Sequence, residues 1–183
     1  SPDLYADNYT SGTKPTATGN DAVAIGLGSQ ASGTGAVAIG YESAATQNYS
    51  FAAAISGGLS YAGARGANSI AMGYRATASN LSSVAIGYTA TNSGNYSVSL
   101  GTSYTGGTDS FAAVIDNNTS SYGAISNNSI AIGYQAKASS GKAVAIGDRT
   151  IASGDTSLAM GSRAEATGSN SVAIGLLSDA TAQ

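Results

Sequence analysis

The side chains capable of chemistry are few. The 183 residues include no His and no Cys, which removes Ser-His and Cys-His nucleophilic systems together with the commonest metal ligands. The carboxylates are Glu42, Glu165 and eight Asp. No two recur at a spacing that would set a proton donor opposite a base, as cleavage of a glycosidic bond requires. The 25 glycines do not form a phosphate loop, because no Gly-Lys-Ser/Thr occurs and no helix pattern follows them. Gly106-Gly107-Thr108-Asp109 only grazes the Gly-Gly-x-Gly-x-Asp pattern of a calcium-binding roll. We expect no enzyme, no cofactor and no metal site.

What remains is recognition. Tyr41, Tyr74, Tyr88 and Tyr134 each follow a glycine at the same point of a repeat, where the chain leaves a strand and side chains project outward. Tyrosine offers a large contact area at low entropy cost, so these four, with Tyr61 and Tyr122 in two longer spacers, are the candidate ligand contacts.

The elements that must position them repeat along the chain. Anchored on Ile174 of Asn170-Ser171-Val172-Ala173-Ile174-Gly175, the equivalents are Ile25, Ile39, Ile55, Met72, Ile86, Leu100, Ile115, Ile132, Ile146 and Met160, at intervals of 14 to 17 residues. Two residues before the anchor stands Val, Ile or Leu in nine of eleven copies, and Gly follows it in nine. Strand residues two apart share a face, so the large pair is expected to form the core and the glycine to turn the chain. Small residues four and six after the anchor, as in Ala136 and Ala138, predict a second short strand turned toward it. Strand, turn, strand, turn fills the interval and leaves no room for a helix. Such repeats stack as a solenoid.

One and three residues before the anchor the sequence keeps Ala or Ser almost without exception. This stripe is expected to face away from the core and to admit the close approach of another copy of the chain. Two coils depart from the pattern: Ala53 and Ala113 replace Val, and Phe51 and Phe111 fill the space from two residues earlier. The same coils carry the spacers 57–68 and 117–128, sixty residues apart, which marks a duplicated four-coil block. Insertions in repeats map to loops, and these two are expected on one side.

Only 9% of residues are charged, yet aliphatic residues kept in phase eleven times exclude disorder. A formal charge of −3 and a pI near 4.5 give no basic patch, which argues against nucleic-acid binding. No apolar run spans a membrane and no signal peptide opens the sequence, so the protein reaches its site by another route or is an excised piece. Residues 1–15, with Pro2 and Pro15, are expected to be a linker or cap, and 16–183 the repeat domain, entered by a half-coil at Thr16-Ala17-Thr18.

The repeated Ser/Ala-Val-Ala-Ile-Gly followed by Ala-x-Ala, as at Asp21–Ser29 and Asn170–Ser178, resembles the YadA-like head of trimeric autotransporter adhesins, and similar repeats occur in fibres of tailed phages. The resemblance implies an all-β, left-handed parallel β-roll solenoid of about eleven 14–17-residue coils, homotrimeric, extracellular on a bacterial surface or virion, and adhesive rather than enzymatic. Implied partners are the chain itself and a host surface glycan or matrix protein, without nucleic acid or membrane contact; a passive spacer is the alternative role. The adhesin-like motif Asn170, Ser171, Val172, Ala173, Ile174, Gly175 and Ser178 is associated in such heads with collagen binding. The same letters are also the structural repeat unit, and we expect that role to dominate.

Overall fold

The structure, a computed structural model, describes residues 14–53, 62–114, 116 and 121–181. The chain divides into two compact units, residues 1–89 and 90–183. Among the described residues both consist of short parallel strands joined by turns, with no helix.

A regular coil is seen at Val37–Ile39, a three-residue strand, followed by a turn at 40–43, the two-residue strand Ala44–Ala45, a turn at 46–50 and the next long strand, Phe51–Ala53. In the first unit five long strands pair in sequence order as one parallel sheet and five short strands as a second. The first short strand, Thr16–Ala17, lies beside Gln30–Ala31. The second unit repeats this with six long strands, from Val98–Leu100 to Val172–Ile174, and seven short ones. Backbone groups are satisfied from coil to coil: Gly147 N–H donates to Ile132 O at 2.8 Å, and Val144 N–H to Ser157 O at 2.9 Å.

The facing expected from the sequence is reversed. The alanines between the large residues point inward: Ala38, Ala52, Ala71, Ala85, Ala112, Ala131, Ala145 and Ala159 have no exposed surface. The large residues on either side of them point out, and Val23, Ile39, Met72, Ile86, Ile130, Met160, Val172 and Ile174 are exposed. The core is four columns of small side chains, as in Ala143, Ala145, Ala136 and Ala138. The physical reason is the coil's size. Two sheets joined by turns of four and five residues lie so close that their facing side chains have room for one heavy atom beyond Cα or little more, and Val and Ile do not fit.

Serine enters this core because its hydroxyl finds a local acceptor. Ser69 Oγ donates to Gly66 O at 2.6 Å, Ser83 to Asn80 O at 2.7 Å and Ser157 to Gly154 O at 2.6 Å, and Ser110 donates likewise to Gly107 O. Each of these four hydroxyls is thereby paired within its own turn. The coil around Val98–Leu100 is the most polar inside: fully buried Asn92 donates from Nδ2 to Ser97 O at 2.8 Å and accepts from Ser97 Oγ at 2.6 Å and Gly94 N–H at 3.0 Å.

Register corrects a second expectation. Phe51 lies beside Val37 and Ile70, and Ala53 beside Ile39 and Met72; Phe111 and Ala113 lie likewise beside Val98 and Leu100 and beside Ile130 and Ile132. Ala53 and Ala113 therefore hold the anchor positions assigned to Ile55 and Ile115, which lie outside the described residues. Phe occupies the Val column itself rather than reaching in from two residues earlier. The extra residues fall between the long and short strands, nine between Ala53 and Gly63 (54–62) and nine between Ala113 and Gly123 (114–122), against four in a regular coil. The expected loop geometry of the spacers lies largely outside the described residues.

Candidate binding surfaces

The turns that display the candidate tyrosines are fixed by backbone geometry. At Gly147 φ is +134°, and a Cβ there would meet Gly161 O at 2.3 Å, so neither the conformation nor the space admits a side chain. Two residues later the chain passes through the left-handed region with ordinary residues: Glu42, Arg75, Thr89, Gln135, Arg149, Arg163 and Leu177 have φ between 52° and 55°. The second turn has its own such position, held by Tyr49, Asn68, Tyr96, Asn128, Lys142, Thr156 and Asn170 among others. This conformation costs a side chain-bearing residue about 1 kcal/mol or more, and it persists because coil-to-coil hydrogen bonds determine the turn on both sides.

The residue between the glycine and the first left-handed position stands at the outer edge. Tyr41, Tyr74, Tyr88 and Tyr134 are all exposed there. In the first unit Tyr74 and Tyr88 stack with centroids 5.2 Å apart and planes 15° from parallel. Tyr41, one residue before Glu42, has its phenol held above the ordinary value of 10.0 by hydrogen bonding to that carboxylate and by its charge. In the second unit the positions sixty residues on are Tyr134, Asp148 and Arg149 in place of Tyr74, Tyr88 and Thr89. Here the Arg149 guanidinium lies 5.3 Å from the Tyr134 ring centroid, within cation–π range. Arg149 also reaches Asp148 at 3.8 Å, and Ser162 Oγ donates to Asp148 at 3.4 Å.

The two spacer tyrosines do not share a position. Tyr61 lies outside the described residues. Tyr122 immediately precedes the strand Gly123–Ala124, the place that Ala62 holds in the first unit. It is half-buried against the alanine cluster of the second unit, so its ring serves packing at least in part. Sequence reasoning passed over Tyr49 and Tyr96, both exposed at the second turn; their common distance of four residues before the anchor shows only once Ala53 rather than Ile55 is taken as the anchor of its coil.

The motif at 170–178 is the long strand of a coil with the turn positions on either side of it, built to the same plan. Asn170 takes the left-handed position with φ 58°, Ala173 is buried, Gly175 turns the chain with φ 126°, and Ser178 Oγ donates to Gly175 O at 3.2 Å. Val172 and Ile174 are 58% and 62% exposed, which reverses their expected place in the core and that of Ser171 and Ala173 on an outer stripe. Ser171 Oγ is buried without a hydrogen-bond partner.

In each unit the outer face of the long strands is an uncharged apolar surface. Its two columns are Val37, Phe51, Ile70, Val84 and Ile39, Ala53, Met72, Ile86 in the first unit, continuing in kind from Val98 and Leu100 to Val172 and Ile174 in the second. No charged residue interrupts either column. Among the described residues no three metal-ligating side chains converge.

The described residues form a helix-free parallel β-solenoid, filled with alanine and serine and carrying its large residues outside, an architecture of the repeat-scaffold class. The chain belongs to the YadA head domain repeat family: the family pattern, which spans two copies of the repeat, matches at residues 17–43, 31–53, 64–90, 78–103, 124–150 and 152–178. No curated protein matches the chain.

Proposed function

We propose that the protein is the non-enzymatic head of a trimeric, extracellular surface adhesin, each chain a left-handed β-roll, three of them set about a threefold axis and touching a host surface glycan or matrix protein through the turn tyrosines. The observation that carries the assembly is the uncharged double column of Val, Ile, Leu, Met and Phe on the outer face. Extended apolar patches of this kind mark contacts with another surface, and a second copy of the chain offers the same two columns at the same spacing. Membership of the head family supports the adhesive role. Repeated aromatic groups suit weak, multivalent contact, which a threefold assembly strengthens.

The test has two parts. Light scattering at micromolar concentration is expected to give three chain masses; a single chain mass overturns the assembly. Replacing Tyr41, Tyr74, Tyr88 and Tyr134 together by Ser should leave mass and β-sheet circular dichroism intact and lower binding to glycan- or collagen-coated surfaces about tenfold. Unchanged binding would move recognition away from this edge and favour a spacer role.

A further inference from the structure

The outer columns change character at one level in each unit. Everywhere else the pair is of similar size, such as Val37 with Ile39 or Val144 with Ile146, but at Phe51 with Ala53 and Phe111 with Ala113 one member is enlarged and the other cut back. The result is a knob beside a notch. Ala53 is flanked in its column by Ile39 and Met72, and Ala113 by Leu100 and Ile132. Ala113 is only 8% exposed, sunk between those larger neighbours. No interior need explains the exchange, since Ala52 and Ala112 fill the core at these levels as alanines do elsewhere.

We propose that these Phe/Ala levels are register keys for the contact between copies of this chain, which deepens the assembly reading above and rests on it. In a closed ring of parallel copies each chain presents one column to one neighbour and the other column to the next. Phe51 of one copy then meets the partner's Ala53, and Phe111 the partner's Ala113, so total side-chain volume per level stays close to that of a Val/Ile level. A slip of one coil sets Phe51 against the partner's Met72 or the partner's Ile39, and leaves Ala53 facing the partner's Ile70 or the partner's Val37. One level is overfilled and another is left hollow, and both errors are costly in a packed interface. A uniform Val/Ile face has no such preference, because every coil resembles the next; a slip that superposes one key on the other must pass four coils. The keys supply a register that the repeat itself cannot.

The absence of cysteine allows a direct test by disulfide trapping. Val84→Cys with Ile86→Cys reports the in-register contact. Val84→Cys with Met72→Cys and Ile70→Cys with Ile86→Cys report one-coil slips in the two directions. In the otherwise native chain the in-register pair should give covalent multimers in roughly tenfold excess over either slipped pair. With Phe51→Val, Ala53→Ile, Phe111→Val and Ala113→Ile added, the slipped pairs should rise to comparable yield while the mass by light scattering stays unchanged. If that fourfold variant loses its β-sheet signal, Phe51→Val with Phe111→Val, which only removes bulk, gives the same readout. Equal yields in the native background, or exclusive in-register trapping after the keys are erased, would overturn the proposal. A single chain mass for the unmodified protein would instead defeat the assembly itself.

Discussion

The inner and outer faces of a single strand, one residue apart, follow opposite rules. Ala145 faces inward with no exposed surface, and Val144 and Ile146 beside it face outward, partly covered by their counterparts in adjacent coils. Inside, volume is the constraint, and among the described residues the closed columns hold Ala, Ser, Thr and the hydrogen-bonded Asn92, with the half-buried Tyr122 at the column of Ala62 as the exception. Outside, each large side chain is stacked on two others but its free flank is open. Bulk therefore does not identify the core of a very small coil; the turn lengths that set the distance between its sheets do.

The largest effect should come from breaking the inner rule. Ala145→Asp places a charge without a partner in a closed alanine core, at a cost of several kcal/mol, and far-UV circular dichroism should show the coils around it lost. The same change one residue earlier should act differently. Val144→Asp projects outward, so the β-sheet signal is expected to persist while light scattering shows the assembly falling to single chains. If both variants unfold alike, the distinction between the faces fails.

These two residues also show what the sequence made legible. The period-two rule correctly places Val144 and Ile146 together on one face and Ala145 on the other, but it carries no information about which face is inside. The usual preference for large residues in cores points the wrong way here, because it presumes sheets separated by about 10 Å, and turns of four and five residues draw these closer. The repeat, its strands and the edge position of Tyr41, Tyr74, Tyr88 and Tyr134 were readable from spacing. The register at the two irregular coils was not: matching the letters before Ile55 and Ile115 put the anchor two residues late. Phe51 and Phe111 had to be recognised as members of the Val column, and a ring in that column is tolerated only because the column faces outward. Tyr122 misled for a related reason, since its flanking sequence looks like spacer although it sits at the column of Ala62.

A smaller effect sharpens the contrast at the turns, which belong to neither face. Thr156 holds a left-handed conformation, φ 55°, with a β-branched side chain. Thr156→Gly should relieve about 1 kcal/mol of steric cost and lose part of that to unfolded-chain entropy, leaving a net gain of about half a kcal/mol, seen as a raised urea midpoint. A lowered midpoint would show that the Thr156 side chain contributes more than its backbone costs.

The coil-to-coil hydrogen bonds described for each unit have a mechanical consequence. They lie along the stacking direction and close between neighbouring coils only, as from Gly161 N–H to Ile146 O and from Leu158 N–H to Ser171 O. A tensile load on one end of the chain therefore meets one coil's ladder at a time rather than many in parallel, and each coil that peels away releases about 14 residues, roughly 50 Å of contour. A single chain so loaded yields stepwise, like thread leaving a spool. Copies gripping one another along their outer columns would put those steps in parallel, so that resistance to shear comes from the face that the single chain leaves uncovered.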